Sequence, residues 1–253
     1  MSEIKTIAIT GKGGTGKTVV ATTMIRLLSQ RFPGEVLAID ADSAMSLPYT
    51  LGLTVNDTVS ALRKRVVGKD QLRDETQDGP TKEMMRKLLV HADGYDLLAM
   101  GRPEEPGCFC AVNQLLRYGI EALSRDYKYV VVDGEAGPEQ INRRVLSSID
   151  ALLVVADMSA RSLETAAGII SVSKAQEDGI NVKQSGLVLN RVRGDMPEKA
   201  YLEKIGLEIF ACLPEDDLVN SFDRQGRSLL ELPLDSACPA AVEGILKKLL
   251  PDY

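Results

Sequence analysis

The sequence predicts an α/β fold in which a single, mostly parallel sheet is covered by helices on both faces, as one domain over residues 1–253. Three observations carry that expectation. Short apolar, β-branched runs recur at Thr6 to Thr10, Val36 to Asp40, Asp96 to Met100, Tyr129 to Asp133, Leu152 to Asp157, Leu187 to Asn190 and Ile209 to Leu213, ending in small or acidic residues. Helical patterns at Val19 to Gln30, Leu115 to Ser124, Glu139 to Ile149 and Ser162 to Glu177 lie between them. Such alternation reads as buried parallel strands joined by crossover helices. The length of 253 residues allows a substantial core, and no repeat or low-complexity tract interrupts the pattern.

Composition narrows the partners. Lys plus Arg number 30 against 36 Asp plus Glu, a net charge of −6, so there is no global basic field to hold nucleic acid. The chain enters its first strand within a few residues, which leaves no room for a signal peptide. No apolar run approaches the roughly 18 residues of a membrane span. A cytoplasmic protein without stable membrane association is expected. The four cysteines then read as thiols or metal ligands rather than a disulfide framework.

The first strand runs directly into GKGGTGKT, Gly11 to Thr18. Gly11, Gly13, Gly14 and Gly16 let the backbone turn tightly and, with Thr15, aim N–H groups at phosphate oxygens; the helix entered through Lys17, Thr18 and Val19 presents its positive dipole end. Lys17 can reach the β- and γ-phosphates, and the Thr18 hydroxyl can ligate Mg²⁺. An ordinary glycine-rich turn would leave both unexplained. A simple phosphate loop needs one lysine, so Lys12 is surplus. It is either solvated or crosses a dimer interface to the partner's nucleotide, adding charge as an arginine finger would.

Ligands of parallel sheets bind at the carboxyl ends of the strands, so the residues ending each run should converge on this loop. YVVVD, Tyr129 to Asp133, is a Walker B strand whose Asp133 can hold Mg²⁺ through water, with Gly137 following to offer a backbone N–H to the γ-phosphate. An Asp ending a strand also serves as a helix cap. Asp40 and Asp42 leave the second strand on one side, where one can support the metal's water shell and the other orient the attacking water.

GKGGTGKT matches the deviant Walker A signature residue for residue, and the chain resembles the ATPase family of MinD, ParA and the nitrogenase iron protein. The resemblance implies ATP and ADP as ligands, a nucleotide-sandwich homodimer, and Asp42 as the switch residue for hydrolysis. That family carries proline after this aspartate; here it is Ser43. Asn190 and Arg191, in LVLNR, and Pro214 and Glu215, in LPEDDL, resemble its two adenine-contacting segments.

Cys108-Phe-Cys110 follows a proline- and glycine-containing stretch from Arg102 that argues for an exposed loop near residues 101–112. Two thiols at i and i+2 can chelate one soft ion, and a two-fold axis would complete a four-thiolate set. The pair alone fits buried or redox-active cysteines equally well. GCFCAVNQLLR, Gly107 to Arg117, and DGEAG, Asp133 to Gly137, resemble CooC-type ATPases, which mature the nickel centres of carbon monoxide dehydrogenase, and the related proteins that serve acetyl-CoA synthase. Thiolate chemistry alone points to zinc or an iron–sulfur centre; nickel comes from the resemblance only, and zinc is expected to compete.

Two other activities stay open. A MinD-like positioning ATPase would use the apolar residues of the last helix, Val242, Ile245, Leu246, Leu249 and Leu250, although that spacing equally suits a helix closing its own core. An iron–sulfur carrier or reductase would use the cysteine pair. Among minor candidates, His91 reads as a partly exposed helix-end residue or a metal ligand, Cys212 as a buried small hydrophobe, and Cys238 as structural at a helix start. The basic stretch Arg63 to Lys69 reads as a solvated helix face. Glu135 either assists the switch or contacts a client.

Overall fold

A computed structural model describes residues 5–66, 80–102, 110–135, 146, 148–175 and 181–253, with the side chains of 66, 80, 110–116 and 175 excepted. In chain order the elements are β1 Thr6–Thr10, α1 Lys17–Arg31, β2 Val36–Asp40, α2 Ser46–Leu51, α3 Val59–Val66, α4 Pro80–Arg86, β3 Val90–Ala92 and β4 Tyr95–Ala99. There follow α5 Cys110–Ser124, β5 Tyr129–Asp133, β6 Ser148–Ala156, α6 Ala160–Ala175, β7 Asn181–Val192, α7 Lys199–Lys204, β8 Ile209–Pro214 and α8 Asp217–Gln225. A 3₁₀ turn at Leu229–Glu231 and α9, Ala237–Leu249, complete the described chain.

The eight strands form one sheet in the order β3-β4-β2-β5-β1-β6-β7-β8. Among the described strands only β3 runs antiparallel, as a hairpin partner of β4 on the edge. The apolar strands divide their side chains between two cores, which is why they read as continuous hydrophobic runs. Leu37, Ile39, Val130, Val132, Leu152 and Val154 pack on one face with Met85, Ile120 and Leu163. Val36, Ala38, Tyr129, Val131, Leu153 and Val155 pack on the other with Met24, Leu28, Val242 and Leu246. The last helix therefore closes its own core: Val242, Ile245, Leu246, Leu249 and Leu250 are all buried. No helix of the described residues is long and apolar enough to cross a membrane.

Several expectations are corrected. The helix drawn over Glu139 to Ile149 runs too far, because Ser148 and Ile149 already belong to β6; the rest of it lies outside the described residues. Helix α4 ends at Arg86, and His91 sits on β3 instead. There its exposed ring bonds through Nδ1 to Asp96 Oδ1 at 2.6 Å, so a fixed hairpin partner replaces the helix end. Cys212 is exposed rather than buried, since β8 is the edge strand and pleating that buries Leu213 turns its neighbour outward. The cysteine loop is shorter than drawn, because the backbone from Cys110 onward is already α5.

Candidate nucleotide site

The turn from β1 into α1 is built against the ends of β6 and β7. Gly11 has φ 144°, and a Cβ there would overlap the Val155 carbonyl oxygen. Gly16 caps α1 in the left-handed region at φ 95°, and a Cβ there would strike Asn190 Nδ2. Only glycine fits either position. No side chain caps α1, so the first helical N–H groups face the cradle with their dipole. Thr15 ties the loop by donating its hydroxyl to the Lys12 carbonyl at 2.8 Å. Lys17, only 8% exposed, leans on the same carbonyl at 3.5 Å, a long contact that a charged phosphate oxygen would outcompete.

Sheet register assembles the acids. Asp40 pairs with Asp133 across β2 and β5, and Asp133 pairs with Ile9 across β5 and β1, beside the phosphate loop. Both aspartates are fully buried. Asp40 Oδ1 accepts the Asp42 N–H at 3.0 Å and Oδ2 accepts the Leu47 N–H at 3.2 Å, so this carboxylate shapes the loop between β2 and α2. Burial, reinforced by the neighbouring Asp133 charge, pushes its pKa up to about 8. Asp42 Oδ1 accepts the Ala44 N–H at 2.8 Å at the exposed tip of that loop.

Asp133 differs from Asp40. Neither of its carboxylate oxygens has a hydrogen-bond partner. Burial raises its pKa to about 7, against the pull of the Thr18 hydroxyl and the Lys17 ammonium. A buried carboxylate that completes no well-formed hydrogen bond is costly, and the nearby Thr18 hydroxyl and Lys17 ammonium offset only part of that cost, which a bound cation would complete. The Thr18 hydroxyl beside it is a hard oxygen ligand of the kind Mg²⁺ takes, so the residues present fit that ion. No cluster of three His, Cys, Asp or Glu residues among the described ones forms a protein-only metal cage. An ion held here would complete its shell with phosphate and water, as Mg²⁺ ordinarily does.

The other wall of the cradle comes from β7 and β8. Asn190, expected to meet a base edge, is buried and donates from Nδ2 to the Thr15 carbonyl at 2.7 Å; it buttresses the phosphate loop. Arg191 adopts φ 54° and donates to the Gly14 carbonyl at 3.2 Å. The described non-glycine residues with positive φ are Arg191 and Met45, and each borders the site, a placement typical of functional strain. Pro214 ends β8, and Glu215 pairs with Arg193 and accepts from Asn220 Nδ2 at 3.3 Å.

Asp157, which follows β6 and had no role in the sequence reading, stands near the surplus lysine. Burial would raise its pKa. The Ser159 hydroxyl and N–H, at 2.5 and 2.9 Å, outweigh burial together with the Lys12 and Arg191 charges and hold the carboxyl below its ordinary value. Part of the Lys12 charge is thus met within its own chain. Its only sequence signal was an acid ending an apolar run.

Gly137 and Cys108 lie outside the described residues, and Cys110 is described only as the first backbone position of α5. Cys238 is buried at the start of α9, where its N–H donates to Asp216 Oδ2 at 3.0 Å. Burial pushes its thiol up to about 11, which makes it inert.

Residues 6–229 match the model of the CobQ/CobB/MinD/ParA nucleotide binding domain. An uncharacterised ATP-binding protein of Methanocaldococcus jannaschii is 38% identical, over 96% of this chain and 98% of its own. The carbon monoxide dehydrogenase accessory protein CooC of Rhodospirillum rubrum is 26% identical, over 96% and 95%. Among solved structures, the septum site-determining protein MinD of Pyrococcus horikoshii, complexed with Mg-ADP, aligns over 97% of this chain and 95% of its own, with a TM-score of 0.68 at 20% identity.

Proposed function

Because the chain belongs to the CobQ/CobB/MinD/ParA nucleotide-binding family and is an ATPase of that kind, we propose that it works as a homodimeric Mg-ATP-dependent metallochaperone. Its cargo is nickel, held by Cys108 and Cys110 of two subunits and delivered to carbon monoxide dehydrogenase or acetyl-CoA synthase. The likeness to CooC over nearly the whole chain supports the client class. The carrying observation is that Cys110 opens α5, the crossover helix leaving β4. In a parallel sheet the amino ends of such helices share the carboxyl edge with the phosphate loop, so metal and nucleotide belong to one edge.

On this reading Gly11 to Thr18 cradle the phosphates, Lys17 pairs the β- and γ-phosphates, and Asp42 orients the attacking water. Thr18 and Asp133 would hold Mg²⁺, which neutralises charge on the phosphates. Lys12 serves the partner subunit's nucleotide. Asn190, Arg191, Pro214 and Glu215 border the base, and Gly137 would offer its backbone N–H to the γ-phosphate. Metal and nucleotide then favour the same dimer state, so their affinities are reciprocally coupled.

Nickel titration of the anaerobic protein tests the metal half. Substituting Cys108→Ala or Cys110→Ala should lower nickel affinity at least about tenfold; unchanged affinity rejects the metal role. The apolar residues of α9 are buried, so a MinD-like positioning ATPase would not use that stripe at a membrane, and sedimentation with liposomes and ATP tests that alternative. Visible absorbance after anaerobic purification would favour the iron–sulfur alternative.

A further inference from the structure

Ser43 stands where the resembled ATPases carry proline, and Glu135 lies two residues beyond the Walker B aspartate. The structure brings them together. Glu135 Oε1 accepts the Ser43 N–H at 3.2 Å and also the Ser43 hydroxyl. A proline at 43 would supply neither donor. On its other side the Glu135 carbonyl accepts the Thr10 hydroxyl at 2.5 Å, at the last residue before the phosphate loop. The Ser43 carbonyl in turn accepts Arg102 Nε at 3.0 Å. Arg102 follows the end of β4 and stands six positions before Cys108 in sequence.

We propose that Glu135, Ser43 and Arg102 form a positioning chain that carries the state of the γ-phosphate site to the segment leading into Cys108 and Cys110. Charge-assisted bonds to a carboxylate are stronger than neutral ones. Two donors from a single residue also fix the orientation of the Ser43 peptide, and Asp42 is its immediate neighbour. Any shift of the backbone after Asp133 on nucleotide exchange displaces Glu135, then Ser43, then Arg102. The purpose of this link rests on the cysteine-pair reading; the link itself does not.

The test uses the full chain without metal. Hydrogen–deuterium exchange is followed in peptides covering residues 39–47 and 96–117, with Mg-ADP and with a non-hydrolysable Mg-ATP analogue. In the wild type both regions should change protection between nucleotides, by roughly fivefold in exchange rate. Arg102→Ala should abolish the change in 96–117, keep it in 39–47, and hold nucleotide affinity within about twofold. Glu135→Ala should abolish both. Ser43→Ala should weaken both, and Ser43→Thr, which keeps the hydroxyl, should restore them; a merely structural contact would not give that rescue pattern. A wild-type response that survives intact in Arg102→Ala and Glu135→Ala overturns the proposal, as does a wild-type 96–117 region indifferent to nucleotide. Because no metal is present, either failure leaves the nickel titration to judge the metallochaperone reading separately.

Discussion

Two buried aspartates on opposite edges of the sheet show how differently this chain treats the same side chain. Asp150, near the start of β6, accepts the Lys5 and Thr6 N–H groups at 2.9 and 2.8 Å and pairs with Lys183 at 2.6 Å. Burial alone would raise its pKa, but those partners outweigh it and hold the carboxyl below its usual range. Asp133, at the carboxyl edge, is fully buried, completes no well-formed hydrogen bond and is driven up to about 7. One edge is saturated and contributes stability. The other keeps an incomplete coordination set, which costs stability until nucleotide and its ion arrive.

The contrast breaks most sharply at Asp133. Asp133→Asn should cut ATP turnover by about 100-fold or more while making the metal-free protein more stable at neutral and alkaline pH. The sign follows from linkage: a folded pKa raised from 3.8 to about 7 contributes stability that is fully present below 3.8 and lost as pH rises through 7. Thermal melts of the two metal-free proteins should therefore differ most near pH 8 and converge near pH 5. Asp40, raised to about 8, extends the same trend.

If Lys12 serves the neighbouring subunit's nucleotide as proposed, Lys12→Ala should lower turnover roughly tenfold or more, with nucleotide affinity of the isolated subunit held within a few-fold. Steady-state kinetics beside nucleotide titration of dilute protein separates the two effects. Unimpaired turnover removes the cross-dimer role.

At the saturated edge the expected pattern inverts. Asp150→Asn should leave turnover within about twofold but lower stability by about 1–3 kcal/mol at pH 7, since it weakens a set of partnered charges. Here the folded pKa is depressed, so the stability is present above the unfolded value and lost as pH falls through the folded one. Denaturant melts should thus show the two proteins converging in acid, as the Asp133 pair does, but with the wild type the more stable of the two at neutral pH, the reverse of the Asp133 pair. A smaller effect belongs to Asn190→Ala: the Thr15 carbonyl loses its 2.7 Å partner, and nucleotide affinity should fall a few-fold by calorimetry.

Much of this was legible in the sequence because it is local. The apolar runs marked β1, β2 and β5 to the residue, the glycines of the phosphate loop announced their backbone, and Asp40 and Asp133 were found by ending their strands. What escaped depended on neighbours far along the chain. Parallel register, which sets Asp40 beside Asp133, does not follow from either run alone. The tie from Glu135 to Ser43 spans 92 positions, and the buttress from Asn190 to Thr15 spans 175. Periodicity does not distinguish an edge strand from a central one, which hides the exposure of Cys212, and a three-residue strand is too short to show alternation, which hides the place of His91 on β3.

The most direct test of a nucleotide-governed, subunit-bridging metal site is anaerobic native mass spectrometry with nickel, recorded without nucleotide, with Mg-ADP and with a non-hydrolysable Mg-ATP analogue. One nickel ion per two chains is expected, bound with different occupancy in the ADP and ATP states and absent from the double Cys108→Ala, Cys110→Ala protein. One nickel per monomer, or occupancy indifferent to nucleotide, would contradict it.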